Sequence, residues 1–496
     1  MSKAFQRMVV VGGGAAGWMT ATALATAFPG SSVELVESEE IGIIGVGEAT
    51  FPSIRKFHQL LGIDEAEFLR ATNGTYKLGI EFCDWRARGE RYFHTFGDFG
   101  MLSGPLAVWG QHRRVADPAL GPLGEQCLPS VMASQGRFRP PSDQANAFDY
   151  AYHFDAVLYA GFLRTLALRR GARRTEGRIV DVTRRADGGV AELKLADGRA
   201  IAGDLFIDCS GFASLLLGRT LEEPFVDFSH WLPVDRAWAC PAARGGAGLA
   251  PLTPYTRATA LEAGWAWRIP LSNRTGHGHV FGSRYIDEER AREQLLQQMD
   301  GEPLAEPRLL RFATGHRERV WVHNVVALGL ASGFLEPLES TSIFLVQSGL
   351  GWLIELLQPG PAPSPQMVAA YNTRMTRQFA RIRDFIILHY CLTARRDSQL
   401  WRAMSSMELP ETLAFKIHAW RQAGALHMYD EEGFDATSWL AIHAGMGHWP
   451  DRADPSLRDM PPDVALKGLH LRRDQIATAV AAMPSHDEFL RGVLLR

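Results

Sequence analysis

The apolar positions of this chain change period along its length. MVVV (8–11) is an unbroken apolar run, followed at once by GGGAAGW (12–18) and an alanine-rich stretch. That order predicts a buried strand, a glycine turn and a helix. VELVE (33–37) predicts the next strand, and DLFIDCSGF (204–212) another buried one ending at Ser210-Gly211. RADGGVAELKLADGRAIAGD (185–204) alternates apolar and polar residues around DGG and DGR turns, which predicts a β-hairpin. In GWAWRIPL (264–271), period-2 alternation puts Trp265 and Trp267 on one face of a strand, so the two indoles make a wall. HNVVALGLASGFLEPLESTSIFLVQSGL (323–350) reads as an apolar strand, a glycine-rich turn and a helix.

Beyond the composition break PGPAPSPQ (359–366), helical spacing takes over in MVAAYNTRMTRQFARIRDFIILHY and LKGLHLRRDQIATAVAAM. The proline- and glycine-rich segment from about 100 to 145 predicts surface loops around a site. No internal repeat or low-complexity tract is present.

Composition narrows the picture. A chain of 496 residues is too long for one compact core, so two or more units are expected. Its 46% hydrophobic and 22% charged content is that of a soluble globular protein. A net charge of -3 gives no basic footprint, which argues against nucleic-acid binding. Five scattered cysteines with no CxxC pair fit buried thiols in a reducing compartment. His277 and His279 could face one way on a strand, but two ligands do not close a metal site, so no metal is expected. No apolar run approaches the ~20 residues needed to span a bilayer. Met1 to Trp18 is broken by glycines and lacks a plausible cleavage site, so it is not read as a signal peptide. The cytoplasm is the expected location.

The glycine turn carries the first chemistry. Gly12, Gly14 and Gly17 fit G-x-G-x-x-G between a strand and a helix, where backbone amides can approach a pyrophosphate at the helix N-terminus. Glu37 ends the next strand 20 residues beyond Gly17, where an acid can bond a ribose hydroxyl. A dinucleotide is expected here, FAD or NAD(P). The strands at 204–212 and 323–350 would return to this site, as in large flavoenzymes, and favour FAD. No second dinucleotide fingerprint is found, so the flavin would be reduced elsewhere.

GGGAAGW (12–18), GVGEAT (45–50), GWAWRIP (264–270) and FLEPLESTSI (334–343), in that order, resemble the flavin-dependent or tryptophan halogenases. The resemblance implies an α/β fold: an FAD-binding Rossmann-like module of the glutathione-reductase/hydroxylase type over residues 1–358, with β-sheet substrate insertions. A mainly helical substrate module follows over 359–496. It also implies a two-component enzyme. A separate NAD(P)H-dependent flavin reductase supplies FADH2, which with O2 oxidises chloride or bromide to hypohalous acid. That oxidant passes down an internal tunnel to a lysine beside an electron-rich aromatic substrate. No nucleic-acid or membrane partner is implied, and a homodimer is left open.

Lys77, in TYKLGIEF, matches the active-site lysine, which holds hypohalous acid or becomes a haloamine; alternation alone makes it a solvent-facing strand residue. Glu339, in PLEST, matches the acid across from it, a polariser or general base. The plainer reading is an acid at a helix N-terminus, with Ser340 and Thr341 as caps. Ser340 would support the substrate side, and the amides of Thr341 and Ser342 would hold halide. Free-tryptophan members carry glycine where Ser342 stands, which leaves halide preference open. His94 and Phe96, in YFHTFG, match residues that stack on the substrate ring. For the flavin, Gly12, Gly14, Ala15, Ala16, Gly17, Trp18, Glu37, Gly47, Glu48 and Ala49 carry over. Leu330 and Ile343 lie against its rings, and Ile179 contacts adenine. Trp265 and Trp267 are expected to wall the substrate off from the flavin.

Free-tryptophan members hold the amino-acid group with paired tyrosines and a Phe-Trp. The comparable region here, 428–451, offers only Tyr429, Trp439 and Trp449, far apart in the chain. An indole or other electron-rich arene without a clamped amino-acid group is expected. The competing readings are a single-component aromatic hydroxylase, which would need NAD(P)H access and no halide, and a non-catalytic flavin sensor or carrier.

Overall fold

The computed structural model describes residues 5–40, 47–100, 107–141, 148–244, 252–357, 362–452 and 455–495. They gather into two units, each assembled from three stretches of chain. The first comprises Met1–Gly74, Phe154–Leu232 and Arg311–Ala380; the second Thr75–His153, Pro233–Leu310 and Arg381–Arg496. Along the chain the two units are interleaved. Residues 358–361 lie outside the described residues, and the 27-residue helix Pro365–Cys391 follows.

The first unit is built on a six-stranded sheet. Val325–Ala327, Leu205–Asp208, Arg7–Val11, Ser32–Glu37 and Arg173–Glu176 run parallel in that spatial order, with Trp321–Val322 antiparallel at one edge. Both faces are covered, which is why the strands read as continuous apolar runs. Val9, Val11, Val36, Phe206 and Val325 form the core on one face. On the other, the helices Ala15–Ala27 and Ala156–Arg169 pack together, and Thr22 Oγ1 donates to Leu163 O at 3.2 Å. The expected hairpin forms: Val190–Leu195 pairs antiparallel with Ala200–Ala202 and with Ile179–Arg184. Gly188 (φ +91°) and Gly198 (φ +89°) take the left-handed conformation its two turns require.

In the second unit a seven-stranded sheet includes Arg236–Ala243, Arg274–Phe281, Gly264–Pro270, Thr256–Ala260, Gly79–Cys83 and Arg91–Thr95 as neighbours. Pairing is antiparallel throughout these six except between Thr256–Ala260 and Gly79–Cys83. Beside it the short strand Thr75–Lys77 pairs antiparallel with Ala151–Asp155.

One expectation is corrected here. The segment expected as surface loops holds helices at Val108–Val115 and Leu128–Ser134 and two 3₁₀ turns, with Trp109, Leu120 and Met132 buried. Its prolines start turns rather than prevent them: Pro118 and Pro129 occupy first-turn positions, where a missing N–H costs nothing. Residues 101–106 and 142–147 of that segment lie outside the described residues. Past residue 365 the described elements are all helical, as the spacing predicts. No helix is long and apolar enough to cross a membrane among the described residues.

Candidate active site

The glycine turn of the first unit is shaped by close approaches. A Cβ on Gly12 (φ +113°) would lie 2.3 Å from Cys209 O, and one on Gly17 would lie 1.8 Å from Gly12 O. Gly13 leaves room for Glu37, whose Oε2 would sit 1.5 Å from an added Cβ. Gly14 faces open space and caps the helix with no side-chain hydrogen bond. Backbone amides at a helix N-terminus are therefore presented at a turn where, among the described residues, nothing lies within 4 Å of a Cβ on Gly14. This is the cradle that the pyrophosphate of FAD fits. Ala15 and Ala16 are half-buried at its rim, and Trp18 is buried beneath.

Glu37 is fixed by neighbours the sequence does not announce. Arg174 Nε donates to its Oε1 at 2.5 Å and Trp18 Nε1 to its Oε2 at 3.4 Å. Glu48 and Ala49 follow Gly47 on a short strand; Gly45 and Val46 lie outside the described residues. Burial pushes the Glu48 carboxyl up to about 7, and the Asp155 charge adds to the shift. The two later strands return to this site. After Leu205–Asp208, the Asp208 carboxylate accepts from Ser210 N–H (3.1 Å) and from the amides of Leu216 (2.8 Å) and Leu217 (2.9 Å), which fixes the Ser210 loop. After Val325–Ala327, the turn Gly329–Ala331 packs on the start of the first helix, where a Cβ on Gly329 would meet Ala16 Cβ at 2.9 Å. Leu330 is half-buried in that turn, and Ile343 is buried on the following helix. Ile179 packs at the margin of the core of this unit.

Glu339 ends the 3₁₀ turn Pro337–Glu339 and is 2% exposed. Ser340 adopts φ +61°, uncommon for a residue with a side chain, and turns the chain into the helix Ser342–Leu356. The capping expected of Thr341 is not found. Thr341 sits at the cap position without a side-chain capping bond, and among the described residues its buried Oγ1 has no hydrogen-bond partner.

In the second unit, Lys77 is fully buried, against the exposure that alternation predicts. Its strand is only three residues long and is covered on both faces. Its Nζ lies 5.5 Å from the centroid of Phe96, within cation–π range. Phe96 N–H donates to Leu78 O at 2.9 Å, which ties the two segments together. Gly79 permits the approach: a Cβ there would lie 2.2 Å from His94 O. His94 is buried, with Phe385 at 5.6 Å and Phe434 at 6.0 Å between ring centroids. These two phenylalanines, stacked at 3.9 Å, are site neighbours that sequence reasoning missed.

Trp265 and Trp267 do share a face of Gly264–Pro270, with centroids 6.1 Å apart, and are 1% and 7% exposed. Trp267 is flanked in the sheet by Ala258 and Gly278, and a Cβ on Gly278 would lie 2.0 Å from its ring. Its buried Nε1–H has no hydrogen-bond partner among the described residues.

The residues of 428–451 that are far apart in the chain are each covered by a cation. Lys416 Nζ lies 3.7 Å from the Trp439 centroid, Arg381 lies 4.2 Å from Tyr429, and Arg113 lies 5.4 Å from Trp449. Lys416 and Glu432 form an ion pair, both nearly buried. His277 Nε2 bonds Asp300 Oδ1 at 2.7 Å and His279 Nδ1 donates to Ala291 O at 2.9 Å. Among the described residues no group of three or more potential ligands gathers around a metal site.

The tryptophan halogenase family model matches residues 7–462. Xcc4156, a flavin-dependent halogenase from Xanthomonas campestris, is 42% identical in sequence with a TM-score of 0.94, covering 99% of this chain and 98% of its own. BrvH, a flavin-dependent halogenase from Brevundimonas sp. BAL3, is 41% identical with a TM-score of 0.93 over 99% of both chains. Tryptophan 6-halogenase SttH from Streptomyces toxytricini is 35% identical over 97% of both. With its nucleotide cradle and family motifs in one fold, the chain belongs to the tryptophan halogenase family and is a flavin-dependent halogenase.

Proposed function

We propose that this enzyme halogenates an electron-rich arene of the indole type, using FADH2 delivered by a separate flavin reductase, with Lys77 and Glu339 as its catalytic residues. Reduced FAD, when bound, supplies with O2 the two-electron oxidation of halide to hypohalous acid. Gly12–Trp18 and Glu37 would hold its pyrophosphate and ribose, with Leu330 and Ile343 against its rings and Ile179 towards its adenine. Thr341 and Ser342 would present amides to the halide.

The observation that carries the reading is Lys77, a buried ammonium beside the Phe96 ring. A buried charge is costly, and its retention points to use. Its N–H donates to the oxygen of hypohalous acid, polarising the O–X bond and aiming the halogen. The arene carbon attacks the halogen, the O–X bond breaks, the oxygen takes a proton from Lys77 and leaves as water, and Glu339 accepts the proton that the ring carbon loses. His94, Phe96 and Ser340 would hold the ring.

The internal ion pair of Lys416 with Glu432 supports a substrate without an amino-acid group, because it leaves these charges committed to each other. The test supplies flavin reductase, NADH, FAD and bromide or chloride to a panel of indoles, phenols and free tryptophan, with products read by halogen isotope pattern. Halogenated indoles are expected, with simple indoles at least as good as free tryptophan. Free tryptophan turned over far better than indoles would overturn the substrate reading, and hydroxylated products without halide would favour the aromatic hydroxylase.

Trp265 and Trp267 are proposed to keep the substrate from the flavin. Full truncation of a buried Trp costs about 3–5 kcal/mol, so Trp267→Leu is more informative than Trp267→Ala. A hydroxylated by-product is expected from Trp265→Leu/Trp267→Leu. Unchanged halogenation without it would reduce the pair to packing.

A further inference from the structure

The segment carrying Lys77 is pinned residue by residue from other parts of the second unit. Thr75 Oγ1 donates to Pro270 O at 2.7 Å, the last residue of the tryptophan strand. Tyr76 N–H donates to His486 Nε2 at 3.2 Å, and Leu78 N–H donates to Pro254 O at 2.7 Å.

Two buried histidines complete these pins, and their partners dictate where each proton sits. Leu252 O can only accept, so its 2.8 Å bond with His486 Nδ1 places a proton on Nδ1. His486 Nε2 must then be bare to accept from Tyr76 N–H. The single hydroxyl proton of Thr75 is committed to Pro270, so the 2.9 Å contact of its Oγ1 with His153 Nδ1 is a donation by His153. Burial and the nearby Lys77 charge keep His153 neutral, so its Nε2 is bare and accepts from Thr256 Oγ1 at 2.9 Å. Both imidazoles are neutral Nδ1–H tautomers. The groups facing His153 are Lys77, His486 and Arg268, and those facing His486 are Asp487 and Arg244. Burial pushes His486 down to about 4; burial, then the Lys77 charge, holds His153 well below its ordinary range.

We propose that His153 and His486 are positioning residues for Lys77, two neutral imidazoles that fix its strand by hydrogen bonds without adding positive charge beside the buried ammonium. A protonated imidazole at His153 would repel Lys77. This rests on the reading of Lys77 as the group that aims the oxidant.

The test uses the whole enzyme with flavin reductase, NADH, FAD, bromide and indole, plus a free scavenger that reports escaped hypohalous acid. Thr75→Val and His486→Phe are expected to lower kcat by about 10- to 100-fold, the cost of a small misplacement, with KM for indole unchanged and a larger escaped fraction. Thr75→Ser, which keeps the hydroxyl, is expected to recover the rate. ¹⁵N-histidine spectra, assigned with His153→Asn and His486→Asn, are expected to show protonated Nδ1 and bare Nε2 at both sites down to about pH 5. A proton on either Nε2 at neutral pH overturns the proposal, as do folded variants with unchanged kcat and escape. If Lys77→Ala itself halogenates at full rate, the lysine reading falls first; if it is inactive while Thr75→Val and His486→Phe keep full kcat, only the positioning proposal falls.

Discussion

Lys77→Ala is expected to abolish halogenation while leaving the flavin half intact. The side chain belongs to the second unit, whereas Gly12–Trp18 and Glu37 belong to the first, so FAD affinity should be unchanged. The cavity left beside Phe96 should lower the melting temperature. Lys77→Met keeps more of the volume and separates shape from charge. Loss of one preorganised donor at a reacting oxygen costs about 10²–10³-fold, and loss of the group that aims the halogen adds to that. The expected readout is brominated indole near background by mass spectrometry, with NADH and O2 consumption maintained and the oxidant captured by the scavenger. Halogenation by Lys77→Ala or Lys77→Met at the unmutated rate would remove Lys77 from the mechanism.

What could be read from the sequence was what local physics determines. The strand, glycine turn and helix at 7–27 are legible because apolar period, glycine spacing and helix propensity act over a few residues. The hairpin at 185–204 is legible because DGG and DGR demand left-handed backbone. The tryptophan pair falls on one face because a strand alternates, though nothing nearby announces that Ala258 and Gly278 make room for Trp267.

The remainder depends on chain returning from far away. Arg174 reaches Glu37 across 137 residues, and Phe385 and Phe434 come to His94 from the helical end of the chain. Lys77 looks exposed by alternation because a three-residue strand carries no sign of what covers its second face. Thr341 looks like a cap by composition, but the left-handed turn at Ser340 delivers it in a conformation whose hydroxyl misses the helix amides. The proposed site residues rest on family motif, while their neighbours emerge only in three dimensions.

Glu339→Gln is the second large effect expected. The substitution keeps the shape of the side chain in its 3₁₀ turn and removes its capacity to take a proton, so folding should be preserved. The amide keeps a hydrogen-bonding group of the same shape in this nearly buried position, so the protein should still fold. The kinetic loss should be about 10²–10⁴-fold in kcat, the usual worth of a positioned general base. Its character should differ from that of Lys77→Ala. If Glu339 removes the ring proton, the halogenated cation still forms but loses its proton slowly, so a primary isotope effect should appear with indole deuterated at the reacting carbon. If Glu339 instead polarises the oxidant, the rate should fall with no isotope effect. A Glu339→Gln enzyme that is folded, binds FAD and halogenates at full rate would leave the acid as a purely structural member of the turn before the helix Ser342–Leu356.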